Sequence, residues 1–378
     1  SGPAESLPLC SGKDTMTTQL FRRAAVLTAA AITLSALSSP ARAADPTPAE
    51  LSAAWLTGEL TDGLVHNDQY AFDDIGLTID VGLALNAIGS QPAAVAQLRA
   101  AVAPEIKGYT TYKKSVFAAS TAKALVLAQT LGASPRSFGG VNLVKQLQQR
   151  VSLADTPIRG RIADKSRGAD YANVVGQAYA VQGLAAARSR KAGAVLDFFL
   201  EQQCDAGYFR LNFTPNKNRR DQTCDGGTKA QSPADTDVTA LAVITLVGLD
   251  SSRPKVQRAA TRAVRWLKHR QRANGSFGGG PTTPGSNTNS TGLAATALGL
   301  VGACKPARQA AEWVLALQIP AATPGLEAQA GAIAYDRGAY DAVVAAGDIT
   351  IDDQDQWRRA TAQAAPALLR LAAPCKGF

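Results

Sequence analysis

Carboxylates are the side chains of this sequence best placed to do chemistry, and they fall into two groups. Tyr70, Asp73, Asp74 and Asp80 gather around the start of an apolar stripe, with His66 close by. Paired carboxylates of this kind can act as general acid and base on a sugar, and Asp73 or Asp74 equally suits the cap of a helix. The second group is Asp235-Thr236-Asp237-Val238-Thr239-Ala240, again at the head of an apolar stripe. Ser232 or Asp235 would cap that helix, leaving Asp237 in its first turn, where the helix dipole favours negative charge. His66 and His269 are the only histidines, and His269 stands in a basic stripe. The chain has no Gly-x-Ser-x-Gly elbow, no phosphate loop and no Cys-Gly-Glu-Gln thioester. Gly226-Gly227 and Gly278-Gly279-Gly280 read as turn residues. No cofactor is implied.

The chain has 378 residues, a formal charge of +9, 46% hydrophobic and 18% charged residues, which is ample for a large core. Met16 is the only methionine; Arg22 and Arg23 follow it, then the apolar run 24–37 and Ala41-Arg42-Ala43. This is the pattern of a secretory signal peptide over 16–43, cleaved after Ala43, with residues 1–15 upstream of the start. The run is too short to span a bilayer. The arginine pair suits either twin-arginine export or an ordinary basic leader. Removing residues 1–43 takes away Lys13, Arg22, Arg23, Arg42, Glu5 and Asp14 and leaves +7 over residues 44–378. Basic residues such as Arg258, Arg262, Arg265, Lys268 and Arg270 recur at helical spacing as a solvated face. No basic and aromatic nucleic-acid module is present; an anionic cell-wall polymer is the partner such a surface would suit. Cys204, Cys224, Cys304 and Cys375 remain. An even count in an exported chain points to two disulfides. Three pairings are possible, and Cys204–Cys224 with Cys304–Cys375 is the expected one. With no C-x-x-C pair and no histidine nearby, no metal site is expected.

The elements that must position these residues are helices of two alternating kinds. Stripes such as 49–60, 194–203, 256–270 and 306–318 are amphipathic. Stripes 77–88, 120–131, 169–187, 235–247, 291–301 and 330–346 are small and apolar on every side. A helix with one apolar stripe faces solvent, and one apolar all round is enclosed. Gly63, Gly108, Gly160, Gly207, Gly275 and Gly325 punctuate the outer stripes, and Gly89, Gly132, Gly248, Gly302 and Gly347 end most inner ones. A period near fifty with two helices per unit means stacked hairpins. The absence of a wet face on the inner helices predicts a closed ring: an all-α, (α/α)6 toroid of six hairpins in a single domain over 44–378.

The fifth hairpin, from Trp266-Leu267-Lys268 through Gln271-Arg272-Ala273-Asn274-Gly275-Ser276-Phe277, resembles the prenyltransferase/squalene-cyclase repeat. The fourth repeats it as Phe199, Gln202-Gln203 and Asp205-Ala206-Gly207-Tyr208-Phe209; the sixth keeps Trp313 and Gln318. The likeness is good over 190–320, and its helical rhythm extends over 49–372. In such a turn the glutamine bonds free backbone groups and the aromatic ring plugs the barrel. The resemblance implies a terpenoid cyclase-like fold more than an activity. Asp235 to Ala240 is similar to the Asp-x-Asp-Asp-Thr-Ala motif of class II terpene cyclases, whose middle acid protonates an alkene or epoxide. Asp237 takes that place and Asp235 its partner's, while Val238 replaces the last Asp. A zinc-dependent prenyl transfer lacks its ligand set.

The loops before the inner helices are expected at one mouth of the barrel. They bring Tyr70, Asp74, Tyr171, Asp235, Asp237 and Asn289 there, with Tyr335 and Asp336 deeper. Asn289 stands two residues before Thr291 as Asp237 stands two before Thr239. The functional expectation is a secreted toroid that binds a glycan, peptide, corrinoid or lipid at this mouth. The alternatives are a cyclase-like enzyme using Asp237 as general acid, or a structural cell-envelope protein. A cyclase would need an aromatic-lined cavity, and aromatic residues make up only 6%.

Overall fold

The computed structural model describes residues 45–153 and 155–372. The expected signal segment 16–43 and Cys375 lie outside the described residues.

Short polar side chains start most of the helices. Thr47 and Glu50 form a reciprocal capping box at α1 (Pro48–Gly58). A small antiparallel sheet follows, β1 (Leu60–Thr61), β2 (Leu64–Asn67) and β3 (Phe72–Asp73), pairing Leu60 with Val65 and His66 with Asp73. Next come α2 (Ile75–Ile88), capped by Asp74, and α3 (Pro92–Thr110). The hairpin β4 (Thr111–Tyr112) and β5 (Ser115–Val116) leads into α4 (Ala118–Thr130). α5 (Leu143–Gln148), α6 (Val174–Ala186), α7 (Ala192–Leu200), α8 (Thr236–Gly248) and α9 (Pro254–Arg270) continue the alternation. α10 (Thr288–Leu300), α11 (Cys304–Leu315), α12 (Arg337–Ala346) and α13 (Ile351–Ala364) complete it, with a 3-10 turn over Ala365–Arg370.

The inner helices close on themselves. α2 packs on α4, α4 on α6, α6 on α8, α8 on α10, α10 on α13, and α13 back on α2. The outer ring is α1, α3, α5, α7, α9 and α11. This is the expected all-α toroid of six hairpins. The small residues of the inner ring are what let it close. A β-carbon on Gly176 would meet the Ala119 Cβ at 2.6 Å, and one on Gly292 would meet the Ala364 Cα at 2.5 Å, so neighbouring inner helices nearly touch backbone to backbone. The outer helices bury one stripe only; α9 buries Val256, Ala259, Ala263 and Leu267.

The repeat is held by recurring hydrogen bonds. Thr78, Thr239, Thr291 and Thr361 accept the amides of Val65, Phe209, Phe277 and Ile333 through their hydroxyls, at 2.8–3.0 Å; Gln177 does the same for Ile162. Gln203 donates to Gly207 O and to Ala259 O of the next outer helix, and Gln271 to Gly275 O and Pro306 O. Gln318 donates to Pro48 O across the junction of first and last hairpins. Gly207 has φ 102° and its missing side chain lies against the Arg262 carbonyl, 2.8 Å from where a β-carbon would be, so only glycine suits this turn.

Four expectations are corrected. The sixth inner helix is α13, not the stripe 330–346. That stripe holds the surface helix α12, in which Val343 is the only buried residue, whereas α13 buries Trp357, Ala360, Thr361, Ala362 and Ala364. The third inner helix begins at Val174, because residues 169–172 form the loop in front of it. Gly108 lies inside α3 and ends nothing, and Gly331, pressed against Leu51 O, makes the sixth turn in place of Gly325. Gly248 is the last residue of α8 and is not left-handed; Asp250 (φ 44°) takes that conformation, as Arg188 (φ 51°) does after α6.

Candidate functional site

The fold sets the inner helices' N-termini at one end of the ring, and the threonine register fixes which residues are equivalent there. Four residues before each threonine stand Asp74, Asp235, Asn287 and Trp357; two before stand Gly76, Asp237, Asn289 and Arg359. Asp235 caps α8, accepting the Val238 amide at 3.0 Å, and Asn287 caps α10 through the Ser290 amide at 2.8 Å. The capping role is therefore Asp235's and not Ser232's, whose hydroxyl donates to Cys224 O.

Around Asp237 the structure gathers groups from three segments. Asp237 Oδ1 and Asn289 Oδ1 are buried without a hydrogen-bond partner among the described residues, and Ser290 Oγ is buried beside the Asp237 carboxyl. Burial pushes the Asp237 carboxyl up to about 6; the Ser290 hydroxyl opposes the shift and the Asp235 charge adds to it. Burial also raises Asp235, against the backbone amides of Val238 and Asp237. Among the described residues no cation forms an ion pair with either carboxyl or adds to either shift. Tyr335 lies near enough that, after burial, the Asp237 and Asp336 charges raise its phenol too. Asp336 itself caps α12 through the Ala339 amide.

A glycine strap lies over both acids. A β-carbon on Gly279 would stand 3.0 Å from Asp237 Oδ2 and 2.9 Å from Ser290 Oγ, and one on Gly280 would stand 2.4 Å from Asp235 Oδ2. Thr283 closes the strap by accepting from Gly279 and donating to Gly280 through its backbone. A cavity of about 200 Å³ opens beside it, lined by Pro233, Ala234, Thr236, Arg272 and the strap, with no aromatic ring. The triple glycine read from sequence as a mere turn is thus a cover. Glycine announces backbone freedom and not what lies opposite. Ser290 was missed for a related reason: only its neighbour Asn289 matches the register of Asp237.

The other expected site residues lie apart from this cluster. Asp74 caps α2 through the Leu77 amide, 2.8 Å, and its other oxygen is ion-paired with Arg359. Tyr70 and Tyr171 are 69% and 73% exposed on their loops. His66 pairs with Asp73 at 2.8 Å. Asp80 faces inward and pairs with Lys123 at 2.7 Å. Burial works against the Lys123 charge, but Asp80 outweighs it and holds the ammonium above its usual range; burial pushes the adjacent Tyr179 up to about 12. Cys204 and Cys224 are disulfide-bonded, and so is Cys304. Among the described residues no three His, Cys, Asp or Glu side chains gather as a metal site, and no helix is long and apolar enough to cross a membrane.

The ring of six hairpins, with its inner helices closed on one another, defines the fold as an all-α, α/α toroid. No protein-family model and no curated protein matches the sequence. Solved structures match the fold. The type II terpene cyclase MstE from Scytonema aligns with 16% identity and a TM-score of 0.56, over 85% of this chain and 96% of that one. An unsaturated glucuronyl hydrolase specific for heparin aligns with 11% identity and a TM-score of 0.58, over 86% and 96%. A protein from Actinoplanes aligns with 18% identity and a TM-score of 0.57, over 86% and 99%.

Proposed function

We propose that this toroid is an exported protein that binds a polyhydroxy ligand, a glycan, at the mouth between α8 and α10. One observation carries the reading. Two buried oxygens, Asp237 Oδ1 and Asn289 Oδ1, have no hydrogen-bond partner among the described residues. A buried polar atom left unpaired costs about 1–3 kcal/mol, and oxygens of this kind are satisfied by a ligand rich in hydroxyl donors. Tyr335 flanks the site, and the exposed rings of Tyr70 and Tyr171 serve as outer contacts. The Cys204–Cys224 disulfide is in keeping with an oxidising compartment and with a leader over 16–43. Saturation-transfer NMR against neutral and acidic oligosaccharides tests it. Binding should appear for at least one sugar, fall at least tenfold in Asn289→Leu and depend on pH near 6. A panel in which no sugar binds, or in which Asn289→Leu binds as well as wild type, would refute it.

A second reading makes Asp237 a general acid. Its support is a carboxyl raised to about 6, hence proton-bearing in mild acid, and a fold shared with type II terpene cyclases and a glucuronyl hydrolase. Terpene cyclisation is the weaker form, because the adjacent cavity has no aromatic lining to stabilise a carbocation. Incubation with geranylgeranyl dihydroxybenzoate, the substrate bound in one of those cyclases, decides it. Product from wild type and none from Asp237→Asn supports the acid; equal product from both, or none from either, removes it.

A further inference from the structure

A groove of about 1010 Å³ runs between the β4–β5 hairpin and the segment 165–168, at the same end of the ring as the mouth. Its floor is backbone: Val116 and Lys165 exchange both amide hydrogen bonds at 2.9 Å, so residue 165 continues the small sheet. Its walls carry Lys107, Lys113, Lys114, Lys165 and Arg167, and no acidic side chain lines it. Among the described residues none of these five cations takes part in an ion pair. Glu105, two residues before Lys107, does not line the groove, and the acids flanking Lys165 are engaged elsewhere. Asp164 accepts from the Ala118 and Tyr171 amides, and Asp170 is held by Arg161 and Lys217. Five uncompensated cations along one concave surface repel one another and raise the local concentration of anions.

We propose that this groove docks an anionic polysaccharide, whose carboxylate or sulfate groups neutralise the five cations. Tyr112 stands at the groove's edge, 63% exposed, with the Lys113 ammonium 5.1 Å from its ring centroid. The ring offers a sugar a flat apolar face beside a positive charge. The Cys204–Cys224 disulfide belongs with compartments where acidic glycans, and not nucleic acids, are the abundant polyanions. The groove shares no residue with the Asp237 cluster, so this inference stands apart from the mouth reading.

Equilibrium binding of the full chain to heparin, polygalacturonate, neutral dextran and duplex DNA at 50 and 300 mM NaCl tests it. At least one acidic polysaccharide should bind, at least tenfold more weakly at the higher salt, and dextran should not. The variant Lys113→Glu/Lys114→Glu/Lys165→Glu should lose at least tenfold. A charge-matched variant on α9, Arg258→Glu/Arg265→Glu/Lys268→Glu, should lose less than threefold. Sulfate and uronate preferences are read from heparin against polygalacturonate. Equal binding of dextran, an equal loss in the α9 variant, or DNA binding in place of polysaccharide would each overturn the proposal.

Discussion

Two seams of the inner ring carry acids at matched positions and treat them oppositely. Where α13 meets α2, Asp74 caps its helix and Arg359, standing in the register of Asp237, closes on it as an ion pair. Nearly two turns further along α2, on the side facing α4, Asp80 is neutralised by Lys123. Where α8 meets α10, Asp235 caps its helix in the same way, yet the residue opposite is Ser290 and no cation reaches either carboxyl. The first seam uses its charges to fasten the last hairpin to the first. The second leaves a carboxyl raised toward neutrality with an oxygen free for something else. Equivalent backbone positions thus separate into fastening and function by the side chain across the seam.

Removing a cation from the fastened side should produce the largest effect. Lys123→Met leaves Asp80 enclosed without its partner, and we expect a loss of about 3 kcal/mol at pH 7, measured by chemical denaturation. The double variant Lys123→Met/Asp80→Asn should recover most of the loss; no recovery would mean that packing, and not charge, was removed.

On the other seam the same kind of change should go the opposite way. Asp237 titrates at about 6 in the fold, above the ordinary value of about 4 for an unfolded aspartate. Its ionisation therefore destabilises the fold above pH 6, and the cost fades as pH falls from 6 toward 4. Asp237→Asn should stabilise the protein at pH 7 by on the order of 2 kcal/mol and by nearly nothing at pH 4, while weakening ligand binding. Destabilisation at pH 7 would place a hidden partner on Asp237.

The strap gives the smallest effect. Gly280→Ala pushes a methyl group to 2.4 Å from Asp235 Oδ2, so the strap must lift. We expect about 1 kcal/mol of lost stability and faster amide exchange over 278–283. Unchanged exchange would show that the acids are not covered.

Most of the ring was legible because its signals are local. A glutamine, a glycine and an aromatic at fixed spacing give a turn, and small apolar residues on every side give an enclosed helix. Asn289 was found through its distance from Thr291, which the hydroxyl bond to Phe277 explains. The sixth inner helix was not legible. Its first turns carry Asp352, Asp353, Asp355, Arg358 and Arg359 and look like a surface helix. They are polar because they meet Glu59 and Asp74 of the first hairpin, nearly three hundred residues away, and no local pattern encodes such a partner. For Tyr70 and Tyr171 the sequence could not say that their loops turn them outward. The Asp235–Asp237 pair was visible; the absence of a cation across from it was not.

The account turns on Asp237 being an unpaired, enclosed acid, and its own titration is the direct measurement. Carboxyl carbon NMR of the full chain, with the resonance assigned by its loss in Asp237→Asn, should give a midpoint near 6. A midpoint at or below about 4 would mean that water or a cation already serves this carboxylate, and the mouth would lose its claim to a ligand.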